Sequence, residues 1–89
     1  MFYTYILYSV NYKIFYFGHT VNLKKRFWEH NKVLVKSTKP CRPWKLVFYA
    51  AFETLNQAKN FERYLKTGSG KAFAYKRLVD ATIRKKFNI

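Results

Sequence analysis

The run YFGHTVNLKKRFWEH, from Tyr16 to His30, constrains the fold more than any other part of the chain. It starts as an extended aromatic segment and meets Gly18, where a residue without a Cβ lets the backbone turn sharply. It continues as a helix that Thr20 or Asn22 can cap. Leu23, Phe27, His30 and Leu34 follow helical spacing, so this stripe faces a sheet. Arg26, on the flank of the stripe, stands four residues before His30, and side chains at that spacing share one helix face. Both can therefore point at one spot, near Tyr16. A phenol, a guanidinium and an imidazole converging at a strand-to-helix junction is what cutting a phosphodiester calls for.

Around this run the pattern is that of a single α/β layer domain over residues 1–89, long enough for one core. Phe2 to Ser9 is aromatic and β-branched, suited to a largely buried strand. Asn11 signals a turn, and Lys13 to Phe17 returns as a second strand of a hairpin. Lys36 to Pro43 is a polar connector. WKLVFYAAF, Trp44 to Phe52, reads as a third strand buried on both faces or nearly so. Thr54 is a good N-cap, after which Leu55, Ala58, Phe61, Glu62 and Leu65 trace one helix face. Gly68-Ser69-Gly70 breaks that helix, and Lys71 to Lys86 forms a third, basic one. The order is β-β-α-β-α-α.

Eighteen lysines and arginines face four acids, a formal charge of +14. A folded chain of this size repels itself at that charge, which points to a polyanionic partner. Nucleic acid leads, because neutralised phosphates release counterions and give sequence-independent affinity. No basic amphipathic helix stands apart from the core pattern to suggest a membrane surface, and no run approaches the roughly 18–20 apolar residues of a span. The start lacks the form of a signal peptide. Cys41, the sole cysteine, allows neither an intrachain disulfide nor a thiolate zinc cage. These absences point to the cytoplasm.

Several side chains carry two interpretations. Glu62, on a core-facing helix flank, is either salt-bridged or a lone carboxylate suited to Mg²⁺, which keeps waters and takes phosphate oxygens. Arg26 is either one more solvated cation or a fork for two phosphate oxygens. His30 is a satisfied core histidine or a catalytic one. Tyr5 and Tyr16 can lie side by side on paired strands; a phenol, with an ordinary pKa near 10, needs neighbouring cations to act as a base. His19 is a solvated turn residue or an aid to Tyr16. Glu29 is expected in solvent, on a face away from Arg26, and Glu53 at a strand end. Lys24 and Lys25 are basic surface for nucleic acid. Arg42 and Trp44 could form a stacking platform for bases, with Trp44 equally suited to anchor a strand. Ser69 and Lys71, in a glycine-rich turn, could meet a phosphate through backbone N–H groups.

Five elements in order resemble the GIY-YIG nuclease family. Tyr3-Thr4-Tyr5 stands at the first tripeptide and Tyr16-Phe17-Gly18 at the second. Arg26 and His30 match the helix arginine and its frequent histidine, and Glu62, in QAKNFERYLKTGSG, matches the metal-binding glutamate. The resemblance covers Phe2 to about Lys66, and GSGKAF is similar to the tail of small standalone members. Tyr3, Thr4 and Phe17 depart from the usual Gly, Ile, and Ile or Val, at strand positions that tolerate change. The resemblance implies a three-stranded, mainly antiparallel sheet flanked by helices. It implies a Mg²⁺-dependent endonuclease, Mn²⁺ substituting, that acts on DNA more readily than RNA, in repair or recombination. It assigns the base to Tyr16, the metal to Glu62, charge stabilisation to Arg26, and orientation to Tyr5 and His30. The rivals are a basic module that binds nucleic acid without cutting, and a structural protein on ribosomal RNA.

Overall fold

The run Phe2–Ser9 has large side chains on both faces, and such a strand needs a covering layer on each side. The computed structural model, which describes residues 1–32 and 38–79, supplies both layers. The elements are strands β1 (Phe2–Ser9) and β2 (Phe15–Thr20), helix α1 (Leu23–Asn31), a short 3₁₀ turn (Lys39–Cys41), strand β3 (Trp44–Phe52), and helices α2 (Leu55–Leu65) and α3 (Gly68–Arg77). The sheet order is β2-β1-β3, with both pairings antiparallel. Ile6 packs with Phe17, Leu65 and Ala74 beneath α2 and α3. Tyr5, Leu7 and Trp44 pack on the other face against Leu23 and Phe27 of α1. Burying each such side chain contributes about 1.5–3 kcal/mol, so the two cores hold α1 and the α2–α3 pair on opposite faces.

The expected element order holds, and four details differ. β2 begins at Phe15, not Lys13, and continues through Gly18 to Thr20 instead of ending at the glycine. β1 supplies a hydrogen-bonding partner that far, with Tyr5 opposite Gly18 and Tyr3 opposite Thr20. β3 is an edge strand and only partly buried, because β1 takes the centre of the sheet. The GSG segment does not break a helix: α2 stops at Leu65, and Gly68 opens α3, capped by Thr67, whose hydroxyl accepts from the N–H of Gly70. A Cβ at Gly70 would overlap the carbonyl of Tyr64, so this glycine lets the two helices meet closely. The third helix therefore starts earlier than Lys71 and ends at Arg77. The expected extension to Lys86, the Leu34 position and the start of the connector at Lys36 lie outside the described residues.

Three polar contacts set the positions of the helices. Thr4, fully buried, donates its hydroxyl to the carbonyl of Ala58 at 2.7 Å, which pins α2 to the middle of the sheet. Asn31, at the end of α1, donates to the carbonyl of Trp44 at 3.1 Å and accepts from its N–H at 2.6 Å. At the start of α1 the cap is Asn22, whose side chain accepts from the N–H of Lys25 at 3.1 Å. A capping contact of this kind is worth about 1 kcal/mol, and here it fixes where the helix that carries Arg26 begins.

Candidate active site

Cross-strand register places the two tripeptides. Tyr5 pairs with Gly18 and Leu7 with Tyr16, so Tyr5 and Tyr16 are diagonal neighbours on the α1 face, ring centroids 6.3 Å apart. The phenol of Tyr5 crosses directly over Gly18. A Cβ there would lie 2.5 Å from Tyr5 Oη and 2.6 Å from Cζ. The backbone of Gly18 has no positive φ, so this glycine serves close approach and not a turn.

Tyr5 ends a buried chain of hydrogen bonds. Its Oη lies 2.9 Å from His30 Nε2, and His30 Nδ1 lies 2.8 Å from Thr38 Oγ1. The positive charge of Arg26 acts on the Tyr5 phenol from beside it. A cation beside the phenol oxygen favours the arrangement in which the hydroxyl proton points to His30 Nε2. The neutral imidazole then donates from Nδ1 to Thr38. Burial pushes Tyr5 up to about 12 despite the opposing pull of Arg26. Burial, and then the charge of Arg26, pushes His30 down to about 4. Both groups are neutral near pH 7. His30 is wholly buried behind the cleft and hydrogen-bonds the cleft residue Tyr5. Tyr16 is half-buried on the cleft wall, its ring 4.8 Å from that of His30.

A cleft of about 660 Å³ opens along the free edge of β2. It brings together Tyr5, Tyr16 and Arg26 from the α1 side of the sheet and His19 and Glu62 from the α2 side. Glu62 gets there through Thr4 and His19, cross-strand partners that hold α2 one turn apart: Thr4 at Ala58, His19 at Glu62. His19 Nδ1 lies 2.6 Å from Glu62 Oε1, and Lys66 Nζ lies 2.7 Å from Oε2. Burial alone would raise the Glu62 pKa, yet hydrogen bonds from Lys66 and His19 outweigh it and hold the carboxyl below its ordinary value. His19 is thus engaged with Glu62.

Four residues on or beside the cleft, Glu29, Lys59, Arg63 and Lys66, escaped the sequence reading. Glu29, expected in solvent away from Arg26, lines the cleft and accepts from Arg26 Nη1 at 3.2 Å. The i,i+3 spacing was the available signal. Lys59 and Arg63 join Lys66 around Glu62 on a smaller cleft, a basic flank of α2. Of the expected surface cations, Lys25 lines the main cleft and Lys24 a neighbouring one. Arg42, Ser69 and Lys71 line neither. Arg42 donates to the carbonyl of Lys39, and Ser69 and Lys71 sit in the first turns of α3 instead of a loop. Trp44 is no stacking platform: it is buried, and its indole N–H donates to the carbonyl of Thr38 at 3.0 Å.

The donor set fits a Mg²⁺ ion in a limited way. Among the described residues no group of three or more His, Cys, Asp or Glu converges. Glu62 is ionised and on the cleft wall, and a carboxylate has about four lone-pair positions, of which His19 and Lys66 occupy two. A hard cation that keeps its waters and takes one carboxylate is compatible with what remains. Among the described residues no helix is long and apolar enough to cross a membrane.

The family model of the GIY-YIG catalytic domain matches residues 1–76. No curated protein and no solved structure gave a match.

Proposed function

The chain belongs to the GIY-YIG catalytic-domain family, which implies nuclease chemistry on nucleic acid, and from that premise we propose a metal-dependent endonuclease. We infer DNA as the preferred substrate, with repair or recombination in the cytoplasm as its setting. The observation that carries the proposal is the convergence of Tyr5, Tyr16, Arg26 and Glu62 on one cleft from four different elements.

Tyr16, as the phenolate, takes a proton from a water, whose oxygen bonds to phosphorus in line as the bond to the leaving sugar oxygen breaks and that oxygen takes a proton from solvent. Arg26, held by Glu29, neutralises charge that builds on the phosphate oxygens. Tyr5, which burial keeps a phenol, orients the phosphate or the water. His30 positions Tyr5. Mg²⁺, with Mn²⁺ as a substitute, would be held by Glu62, and when bound it adds positive charge at the scissile phosphate.

The engagement of both Glu62 oxygens by His19 and Lys66 favours a second reading, a basic module that binds nucleic acid without cutting. Cleavage of branched, single-stranded and duplex DNA, with and without Mg²⁺, separates the two. Tyr16→Phe removes only a hydroxyl, so fold and affinity should survive while cleavage falls by a factor of about 100 or more. A Tyr16→Phe variant that cuts at the parent rate removes Tyr16 from the mechanism.

A further inference from the structure

Period-2 alternation from Leu46 along β3 would send Tyr49 to the α2 side of the sheet. It does not go there. Leu7 pairs with Leu46 and Ile6 with Phe48, so Val47 is an extra residue on β3. Such a bulge re-aims the side chains that follow it, and Tyr49 turns to the α1 face, opposite Tyr5. There its ring meets that of Tyr3 edge-on, centroids 6.2 Å apart at 65°. Tyr49 is 54% exposed, an unusual amount for a tyrosine on a strand face that α1 covers elsewhere.

The two tyrosines form one wall of a second cleft, of about 490 Å³, with Phe27, Leu46 and Lys24 on the rest. This cleft shares Val21 and Asn22 with the cleft that holds Tyr16 and Arg26. The two clefts are therefore contiguous. We propose that the second cleft binds an unpaired nucleobase next to the scissile phosphate. This rests on the nuclease reading of the first cleft. Tyr49 offers a π-face for stacking, Phe27 and Leu46 an apolar floor, and Lys24 a cation for the flanking phosphate. A paired base must leave its stack to enter, at a cost of a few kcal/mol. Single-stranded or splayed DNA is therefore preferred over duplex.

The test uses DNA carrying the fluorescent base 2-aminopurine, either at the first unpaired position of a splayed-arm substrate or within a full duplex, without divalent cation. The parent protein should quench the unpaired probe and not the paired one. Tyr49→Ala should lose that quenching and bind the splayed arm roughly 5- to 150-fold more weakly, a loss several times larger than on duplex. Tyr49→Phe, which keeps the ring, should retain both properties. Equal losses on the two substrates, or none, overturn the proposal, and thermal melting of Tyr49→Ala verifies that the fold is intact. If the protein cuts no DNA but the Tyr49-dependent preference for unpaired bases holds, the subsite stands and the nuclease reading falls. If it cuts duplex and Tyr49→Ala changes nothing, the reverse holds.

Discussion

Acidification from pH 7.5 to 4.5 should destabilise this fold through one residue, His30. Its imidazole is fully buried and uses both nitrogens in the neutral form, accepting from Tyr5 at 2.9 Å and donating to Thr38 at 2.8 Å. A second proton would set two donors against each other at Nε2 and add a positive charge close to Arg26. The folded protein resists that proton down to about pH 4, whereas the unfolded chain takes it up near 6.5. A basic group with a depressed pKa contributes its full stability above 6.5 and loses it as the pH falls toward 4. That gap corresponds to about 3 kcal/mol, against roughly 5–15 kcal/mol for a whole domain. For a chain of this size the melting temperature should drop by roughly 10–25 °C. Thermal melts followed by circular dichroism at several pH values measure it, with His30→Gln as the non-titrating comparison. Glu62, also depressed, loses its contribution only below its ordinary value of about 4.5, so the window from 6.5 to 4.5 belongs to His30. Equal acid slopes in the parent and His30→Gln would refute the reasoning. So would an NMR titration of the His30 imidazole in the parent with a midpoint above 6.

Gly18→Ala brings a Cβ to 2.5 Å from a phenol that His30 holds in place, and should cost about 1–3 kcal/mol in thermal melts; an unchanged melting temperature would show that Tyr5 can yield. Glu62→Gln should abolish Mg²⁺-dependent cleavage in single-turnover assays and leave DNA binding equal or slightly tighter, since a charge repelling phosphate is gone. If that variant instead melts lower yet cuts at the parent rate, Glu62 serves only its contacts with His19 and Lys66. With 18 lysines and arginines against four acids, affinity for DNA should fall steeply as salt rises, and a shallow salt slope would argue against phosphate-led docking.

Local pattern determined much of this protein. Strand and helix identities follow from periodicity within a few residues, and so does the cap at Thr54, while the α1 cap was narrowed to Thr20 or Asn22, because each depends on neighbours two to four positions away. The placing of Arg26 on the flank of the α1 stripe and of Glu62 on a core-facing turn of α2 was legible for the same reason. Tertiary structure decided the rest. No local signal says which strand is central, and β3 loses burial because β1 takes the middle. Gly18 looks like a turn until Tyr5, 13 residues away, lies across it. The bulge at Val47 exists only relative to β1, yet it sends Tyr49 to the opposite face. The Thr4–Ala58 and His19–Glu62 contacts span 54 and 43 residues, and together they bring Glu62 to the edge of β2. Residue types set which groups are available for chemistry; strand order and register, which depend on partners distant in sequence, decide which of them share a cleft.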